Sequence, residues 1–181
     1  MSGPLQKSRR LRTFTSPDSS ASAIFDASVN QLKRLIITYR TGYKSSAYTV
    51  LWQTALVYVA NSVLRSADES ETGLFYFLLC LYGYEGLRSS WRMSEAIVEG
   101  LLSMKVVYGG MSSSVARRIM KDVRKRGAST EMASIRATFM VDLDLSLSEP
   151  TLATAEALAS TFDDNATIKD LTTIFDASEG A

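Results

Sequence analysis

The sequence predicts an all-α protein, and three observations indicate this fold class. Only three prolines and ten glycines occur in 181 residues, so few residues interrupt long helices. The composition, 46% hydrophobic and 22% charged, is that of an ordinary globular chain. Apolar residues recur at steps of three and four through most of the chain, as in amphipathic helices. We therefore expect a helical bundle of useful core size with a disordered N-terminal tail and an acidic C-terminal tail.

Three segments are predicted along the chain. Residues 1–23 are basic and Ser-rich and should form a disordered tail. The basic cluster between Lys7 and Arg12 could also be a nuclear-import signal or part of a mitochondrial presequence. Residues 24–126 should contain the helices, and residues 127–181 should form a weakly ordered acidic region.

The first predicted helix has an amphipathic pattern. It should begin at an N-cap, Asp26, continue through Tyr39, and stop at Gly42. Its apolar residues recur at helical spacing while its basic residues fall elsewhere, which is typical of a helix lying on a protein surface.

The second element is the stretch SSAYTVLWQTALVYVANSVL, residues 45–64, which contains no charged residue. Its apolar residues surround the helix, so it should be buried on nearly all sides, either in a protein core or in a bilayer. Gln53, Thr54 and Asn61 need polar partners that lipid does not provide. The next apolar run, residues 74–82, is also well short of the roughly 18–20 residues that span a membrane. A central bundle helix is favoured, with a membrane helix as the alternative.

Later elements follow from turn residues and periodicity. Residues 66–73 should form a polar turn that starts a helix over 74–82, and Gly83 and Gly86 should weaken its continuation. Ser89 or Ser90 should cap the next helix, over residues 91–107, with Glu95 and Glu99 on its polar side.

The C-terminal half contains more varied patterns. A basic helix is predicted over residues 114–126, ending at Gly127. Apolar and polar residues alternate over 141–147, which favours a strand or an extended segment. A last weak helix is predicted over residues 152–162.

Composition argues against several classes of enzyme. The chain contains no histidine, the usual ligand of catalytic zinc and the usual acid-base group near neutral pH. The single cysteine, Cys80, lies in an apolar run and should be a packed, unreactive thiol. The pair Asp142 and Asp144 could hold a divalent cation, but solvated carboxylates on an extended segment are favoured. We expect no catalytic, metal or cofactor-binding residue in this chain, and no enzyme activity.

Charge is strongly segregated along the chain, although the net charge is only +1. The basic helix offers six cations that could neutralise phosphates of nucleic acid, with a solvated surface and an acidic protein partner as the alternatives. These weak DNA-binding candidates are Arg117, Arg118, Lys121, Arg124, Lys125 and Arg126. The last 45 residues carry nine acidic residues and one lysine.

The acidic tail contains a second candidate site. Leu171, Ile174 and Phe175 would share one face if the tail becomes helical on contact with a partner, and such a face could enter an apolar groove. Mixtures of acidic and apolar residues are also typical of transcriptional activation segments. A plain disordered terminus is the alternative.

The order of helices resembles a known family. NQLKRLIITYR, ALVYVANSVL and FYFLLCLYGYEGLRSSWRMSEAIVEGLLSM resemble the C-terminal half of the regulatory domain of fungal zinc binuclear-cluster transcription factors, and among these the regulators related to nitrate-assimilation activators. The characteristic element is an apolar helix, a Ser-Ser-Trp junction, and a second helix with small residues. It is represented here by Leu87, Ser89, Ser90, Trp91, Ser94 and Ala96.

The resemblance covers roughly residues 24–126 and implies a nuclear regulator of transcription, with Trp91 filling the junction between helices. The family binds DNA through a six-cysteine module that holds two zinc ions, and this chain has one cysteine. Zinc is therefore expected only in a missing N-terminal module. The chain would be a helical bundle fragment that works through protein partners, among them the transcription machinery or a second copy. A small membrane-associated or mitochondrial helical protein remains the alternative.

Overall fold

Eight α-helices follow one another in the described part of the protein. The computed structural model describes residues 21–43, 49–66, 71–88, 91, 93–108, 110–126 and 139–179. The helices are α1 (Ala21–Gly42), α2 (Val50–Arg65), α3 (Glu71–Leu87), α4 (Ser94–Val107), α5 (Ser113–Arg126), α6 (Leu145–Ser148), α7 (Ala155–Ser160) and α8 (Phe162–Glu179). No β-strand forms in these ranges, so the predicted all-α class is confirmed. Residues 1–20 of the predicted tail lie outside the described residues, whereas residues 21–23 belong to α1.

Helix α1 lies on α2 along an apolar face. Ile36 is buried in the core there, and the ring centroid of Tyr39 lies 5.4 Å from that of Trp52. The helix begins five residues before Asp26, so the predicted N-cap at this residue is wrong. The preceding residues, ASAIF, contain neither glycine nor proline and therefore extend the helix towards the N-terminus.

Helix α2 corresponds to the uncharged stretch and contributes much of the core. Its buried apolar residues are Trp52, Leu56, Val57, Val59, Ala60 and Val63. One side is open, since Leu51 is 78% exposed and Tyr58 is 49% exposed. The prediction of burial on nearly all sides is therefore wrong for that side. None of the described helices is both long enough and apolar enough to cross a membrane.

Helix α3 continues without a break through both glycines that were expected to weaken it. The reason at Gly83 is a close contact with α2, because a Cβ atom there would lie 2.8 Å from Cδ1 of Leu56. The missing side chain thus lets the two helices approach. The hydroxyl of Tyr84 donates a hydrogen bond of 2.6 Å to the carbonyl of Gln53 and fastens α3 to α2.

The central helix is α4. Every residue from Ile97 to Val106 is buried, because α3, α5, α7 and α8 all pack on this helix. Gly100 allows α7 to lie close, since a Cβ atom there would be 3.0 Å from Cβ of Leu158. The predicted caps, Ser89 and Ser90, lie outside the described residues. Trp91 is half-buried and packs against the core.

Residues 139–155, which include α6, fold back on themselves, and we call this segment the turn at residues 139–155. A buried side-chain amide ties it to α2. The side chain of Asn61 donates to the carbonyl of Val141 (2.7 Å) and accepts from the amide of Leu143 (3.1 Å). A single antiparallel bridge joins Met140 to Thr154. The strand or extended segment expected over 141–147 does not form: a turn follows at residues 143–144 and α6 begins at Leu145, so that prediction is wrong for these residues. A four-period alternation is too short to distinguish a strand from a capped helical turn.

The chain ends in two helices where one weak helix was expected over residues 152–162. Thr154 caps α7, its hydroxyl accepting a 3.3 Å hydrogen bond from the amide of Ala157. Helix α8 then runs to Glu179, and its Phe162 and Ala166 are buried. The packed helices thus continue well beyond residue 126.

Candidate interaction surface

The basic helix α5 is fastened to α4 by a cluster of charged side chains. The guanidinium of Arg124 donates from Nε to Glu95 (2.9 Å) and from Nη2 to Glu99 (2.6 Å). Arg88, at the end of α3, contributes a second guanidinium 2.7 Å from Glu95. Arg88 also donates to the carbonyl of Val123 in α5. Three helices are joined at this cluster.

Burial of the cluster changes the acidity of one member. The side chain of Glu99 is only 11% exposed. Burial raises the pKa of Glu99 above its usual value, while the charge of Arg124 acts in the opposite direction. Since the carboxylate is paired and hydrogen-bonded, it can remain charged in a largely apolar setting.

A second ion pair fastens α5 to α8. Arg117 donates to Asp170 (2.6 Å) and to the hydroxyl of Thr167 (3.3 Å). The hydrogen bond from Arg117 lowers the pKa of Asp170. Two of the six DNA-binding candidates, Arg117 and Arg124, are therefore engaged within the protein.

Of the other four DNA-binding candidates, three lie in a row on the surface of α5, and the side chain of the fourth is not described. Arg118, Lys121 and Lys125 are exposed, and at positions i, i+3 and i+7 they follow one face of α5. Within the described residues none of these three forms an ion pair. We call them the cationic row. The side chain of Arg126 lies outside what the structure describes.

A groove of about 460 Å³ lies between α5 and the start of α8, beside the cationic row. Lys121 and Lys125 line it, together with Arg117 and Arg124. The buried side chains of Met120 and Phe162 also line the groove and give it an apolar floor. Asp163 lines it as well.

The predicted C-terminal site lies on α8, which is already helical. Leu171 is 51% exposed. Ile174 and Phe175 belong to the same helix, but their side chains are outside the described part. The structure adds Ile168, which is 59% exposed and lies one turn before Leu171. Its spacing of three residues from Leu171 was the signal that the sequence interpretation did not use.

Ile168 and Leu171 form what we call the apolar row of α8. They project from the side opposite Ala166, which is fully buried. Asp164 precedes Ile168 by one turn on the same side and is exposed. The apolar row therefore faces outward, and the carboxylate of Asp164 lies next to it on the same face.

Two further groups, the thiol of Cys80 and the carboxylate of Asp142, are buried and have structural roles. Cys80 is fully buried, as expected, and burial raises the pKa of its thiol to about 12. Asp142 is buried, not solvated as predicted, and one oxygen accepts from the amides of Asp144 (3.0 Å) and Leu145 (2.9 Å). Its other oxygen accepts from the hydroxyl of Tyr108 (3.1 Å). This carboxylate thus caps α6.

Clusters suited to a metal ion are not found in the part of the chain that the structure covers. Asp144, the second member of the predicted carboxylate pair, forms an ion pair with Arg65 instead.

Comparison with known proteins gives no relative, since no family model, no curated protein and no solved structure matches this chain.

Proposed function

We propose that this chain is a non-catalytic regulatory domain that binds proteins through α8 and acts in the control of transcription in the nucleus. A zinc-cluster module that is not part of these 181 residues would supply the contact with DNA. The observation that carries the protein-binding part of the proposal is the apolar row of α8, which is exposed on a helix whose opposite side is anchored in the core.

The anchoring makes α8 a preformed ligand for an apolar groove. Phe162 and Ala166 are buried and hold its inner side in the core, and the exposed ion pair between Arg117 and Asp170 adds a contact with α5. A partner would therefore bind a helix that is already formed, and less conformational entropy is lost on binding than for a disordered tail. Anchors at three- and four-residue spacing are the usual pattern of a helix that enters a groove.

The chemistry of the described polar clusters supports binding over catalysis. Glu95 and Glu99 neutralise guanidinium groups between helices, and Asp142 caps a helix. The chain has no histidine to serve as an acid-base group near neutral pH. The resemblance of residues 24–126 to a fungal regulatory domain, through the Ser-Ser-Trp junction before α4, supports a role in transcription.

A reporter assay tests the proposal. The whole chain is fused to a heterologous DNA-binding domain, and transcription from the matching promoter is measured in a fungal host. The fusion should activate the reporter, and Ile168→Ala with Leu171→Ala should abolish activation, because the two substitutions remove the apolar anchors.

The matched control changes the same helix without touching the row. Thr173 is exposed on α8 and lies away from the face of Ile168 and Leu171, so Thr173→Ala should leave activation unchanged. A fusion that does not activate, or one that activates equally in the double variant and in the control, would refute the role of the row. Protein levels are compared by immunoblot so that loss of the protein is not mistaken for loss of function.

The missing module is tested separately by sequencing the full-length transcript. An in-frame segment with six cysteines upstream of Met1 would support the proposed family. A complete transcript that encodes an unrelated N-terminal region would contradict it.

A further inference from the structure

The neighbouring helices α5 and α8 carry opposite charges, and only part of this charge is paired between them. Helix α5 has six basic residues and one acidic residue, whereas α8 has five acidic residues and one basic residue. Among the described side chains one ion pair joins the two helices, that of Arg117 with Asp170, while Arg124 pairs with α4. The described basic side chains of α5 that form no ion pair are Arg118, Lys121 and Lys125, and the described acidic ones of α8 are Asp163 and Asp164.

We propose that the cationic row and groove of one copy receive the apolar row of α8 from a second copy of this chain. The cationic row supplies Arg118, Lys121 and Lys125, which are exposed and form no ion pair in the described residues. The groove beside it, about 460 Å³ in volume, offers Met120 and Phe162 as an apolar floor. A ligand that fits this site needs both negative charge and apolar side chains.

The outward side of α8 has this composition. Asp164, Ile168 and Leu171 stand at i, i+4 and i+7, so one carboxylate and two apolar side chains share a face. The cationic row, from Arg118 to Lys125, also extends over seven residues. At about 1.5 Å per residue, the stretch from Asp164 to Leu171 and the cationic row are each roughly 10 Å long. The two stretches therefore match in length, with a carboxylate for the cations and two apolar side chains for the floor of the groove.

A chain cannot place its own row in its own groove. Phe162 and Ala166 face the core, and Asp170 is held by Arg117, so the apolar row points away from α5 of the same chain. The α8 that enters the groove must come from another copy. Since the two surfaces differ, the contact is head-to-tail, which leads to open chains or closed rings.

The groove also favours a protein over nucleic acid. Its floor of Met120 and Phe162 is apolar and offers no partner to a phosphate backbone. The exposed face of the cationic row carries no aromatic residue on which a base could stack.

Sedimentation velocity of the purified chain tests the inference with two variants. The groove variant carries Lys121→Glu and Lys125→Glu, and the row variant carries Ile168→Ser and Leu171→Ser. The parent should associate with rising concentration and dissociate as salt is added, because part of the attraction is between exposed charges. Each variant alone should be monomeric, with the helical circular dichroism of the parent.

Mixing the two variants decides the geometry. The groove variant has an intact row and the row variant has an intact groove, so an equimolar mixture should form one-to-one dimers that go no further. Arg34→Glu and Leu35→Ser serve as controls, since they make the same kinds of change at exposed positions on α1. Both controls should associate as the parent does.

Three results would overturn the inference: a parent that stays monomeric at all concentrations, variants that still associate, or a mixture that remains monomeric. A monomeric parent that binds duplex DNA, with binding lost in the groove variant, would assign the cationic row to nucleic acid instead. Because the experiment uses the purified chain alone, its outcome is independent of the proposed role in transcription.

Discussion

Asn61 joins α2 to the turn at residues 139–155, and Asn61→Ala should destabilise the protein by about 2–4 kcal/mol. The side chain is 5% exposed. It makes two hydrogen bonds to that turn, one to the carbonyl of Val141 and one from the amide of Leu143. Its third hydrogen bond, to the carbonyl of Val57 in its own helix, does not join separate elements.

The magnitude follows from the burial of the two backbone groups. A typical internal hydrogen bond contributes about 0.5–1.5 kcal/mol, and a buried group left without a partner costs about 1–3 kcal/mol. Val141 is fully buried, so water cannot replace the amide at its carbonyl. Leu143 is only partly buried, so water can reach its amide at a smaller cost. The sum is a substantial share of the roughly 5–15 kcal/mol that stabilises a typical domain.

Urea unfolding followed by circular dichroism gives the free energy, and hydrogen exchange locates the change. Amide protection should fall most at residues 139–155. Asn30→Ala is the matched control, because Asn30 is exposed on α1 and such a substitution should change stability by less than about 0.5 kcal/mol. The reasoning is refuted if Asn61→Ala is as mild as this control, or if protection falls elsewhere while the turn stays protected.

Three further outcomes are expected. Gly86→Ala should stabilise the protein by about 0.5–1 kcal/mol through helix propensity, since a Cβ atom there meets nothing within 4 Å. Gly83→Ala should be less stable than Gly86→Ala by about 1–3 kcal/mol, because its Cβ atom would press on Leu56. Urea unfolding compares the stabilities of the two variants. Because burial raises the pKa of Glu99, the folded state binds the proton of this carboxyl more tightly than the unfolded state does. The charged residue therefore lowers the unfolding free energy at neutral pH. This destabilisation is relieved as the pH falls through the pKa of the folded state. The unfolding free energy of Glu99→Gln, minus that of the parent, should therefore rise with pH across the window that starts near the ordinary value of 4.5 and extends above it; a flat difference would contradict the shift. Cys80, whose pKa is about 12, should resist alkylation at pH 8 in the folded protein and react once urea unfolds it, and rapid labelling of folded protein would contradict its burial.

Elements that depend on local sequence were predictable. The scarcity of helix-breaking residues predicted the fold class. The uncharged run predicted α2, which ends at Arg65, one residue after the expected end at Leu64. The predicted start of α5 at Ser114 differs by one residue from the observed start at Ser113. In each case a continuous pattern within one helix carried the information.

Features that depend on distant contacts were not predictable. The weakening expected at Gly83 was overridden by Leu56, which lies in another helix. The polar residues of α4 suggested a solvated side, yet Glu99 is buried because Arg124 neutralises it. Lys105 is buried with its ammonium group 5.8 Å from the ring centre of Phe77. A periodic pattern records which residues are polar and not which partners they will find.

The candidate sites show the same division. The sequence singled out the basic helix and the C-terminal apolar residues, and the structure places the described ones on adjacent helices. It could not separate Arg117 and Arg124 from the cationic row, because their partners lie 25 to 53 residues away. Exposure at Ile168, likewise, depends on which side of α8 meets the core.

The position of α4 has a consequence for how the protein is made. Its covering helices α7 and α8 lie roughly fifty residues after α4 in the chain, so α4 leaves the ribosome well before them. Until both have emerged, the nascent chain holds α4 with one apolar face uncovered, a state that invites aggregation and chaperone capture. A polypeptide that stops near residue 126 would keep that face uncovered permanently.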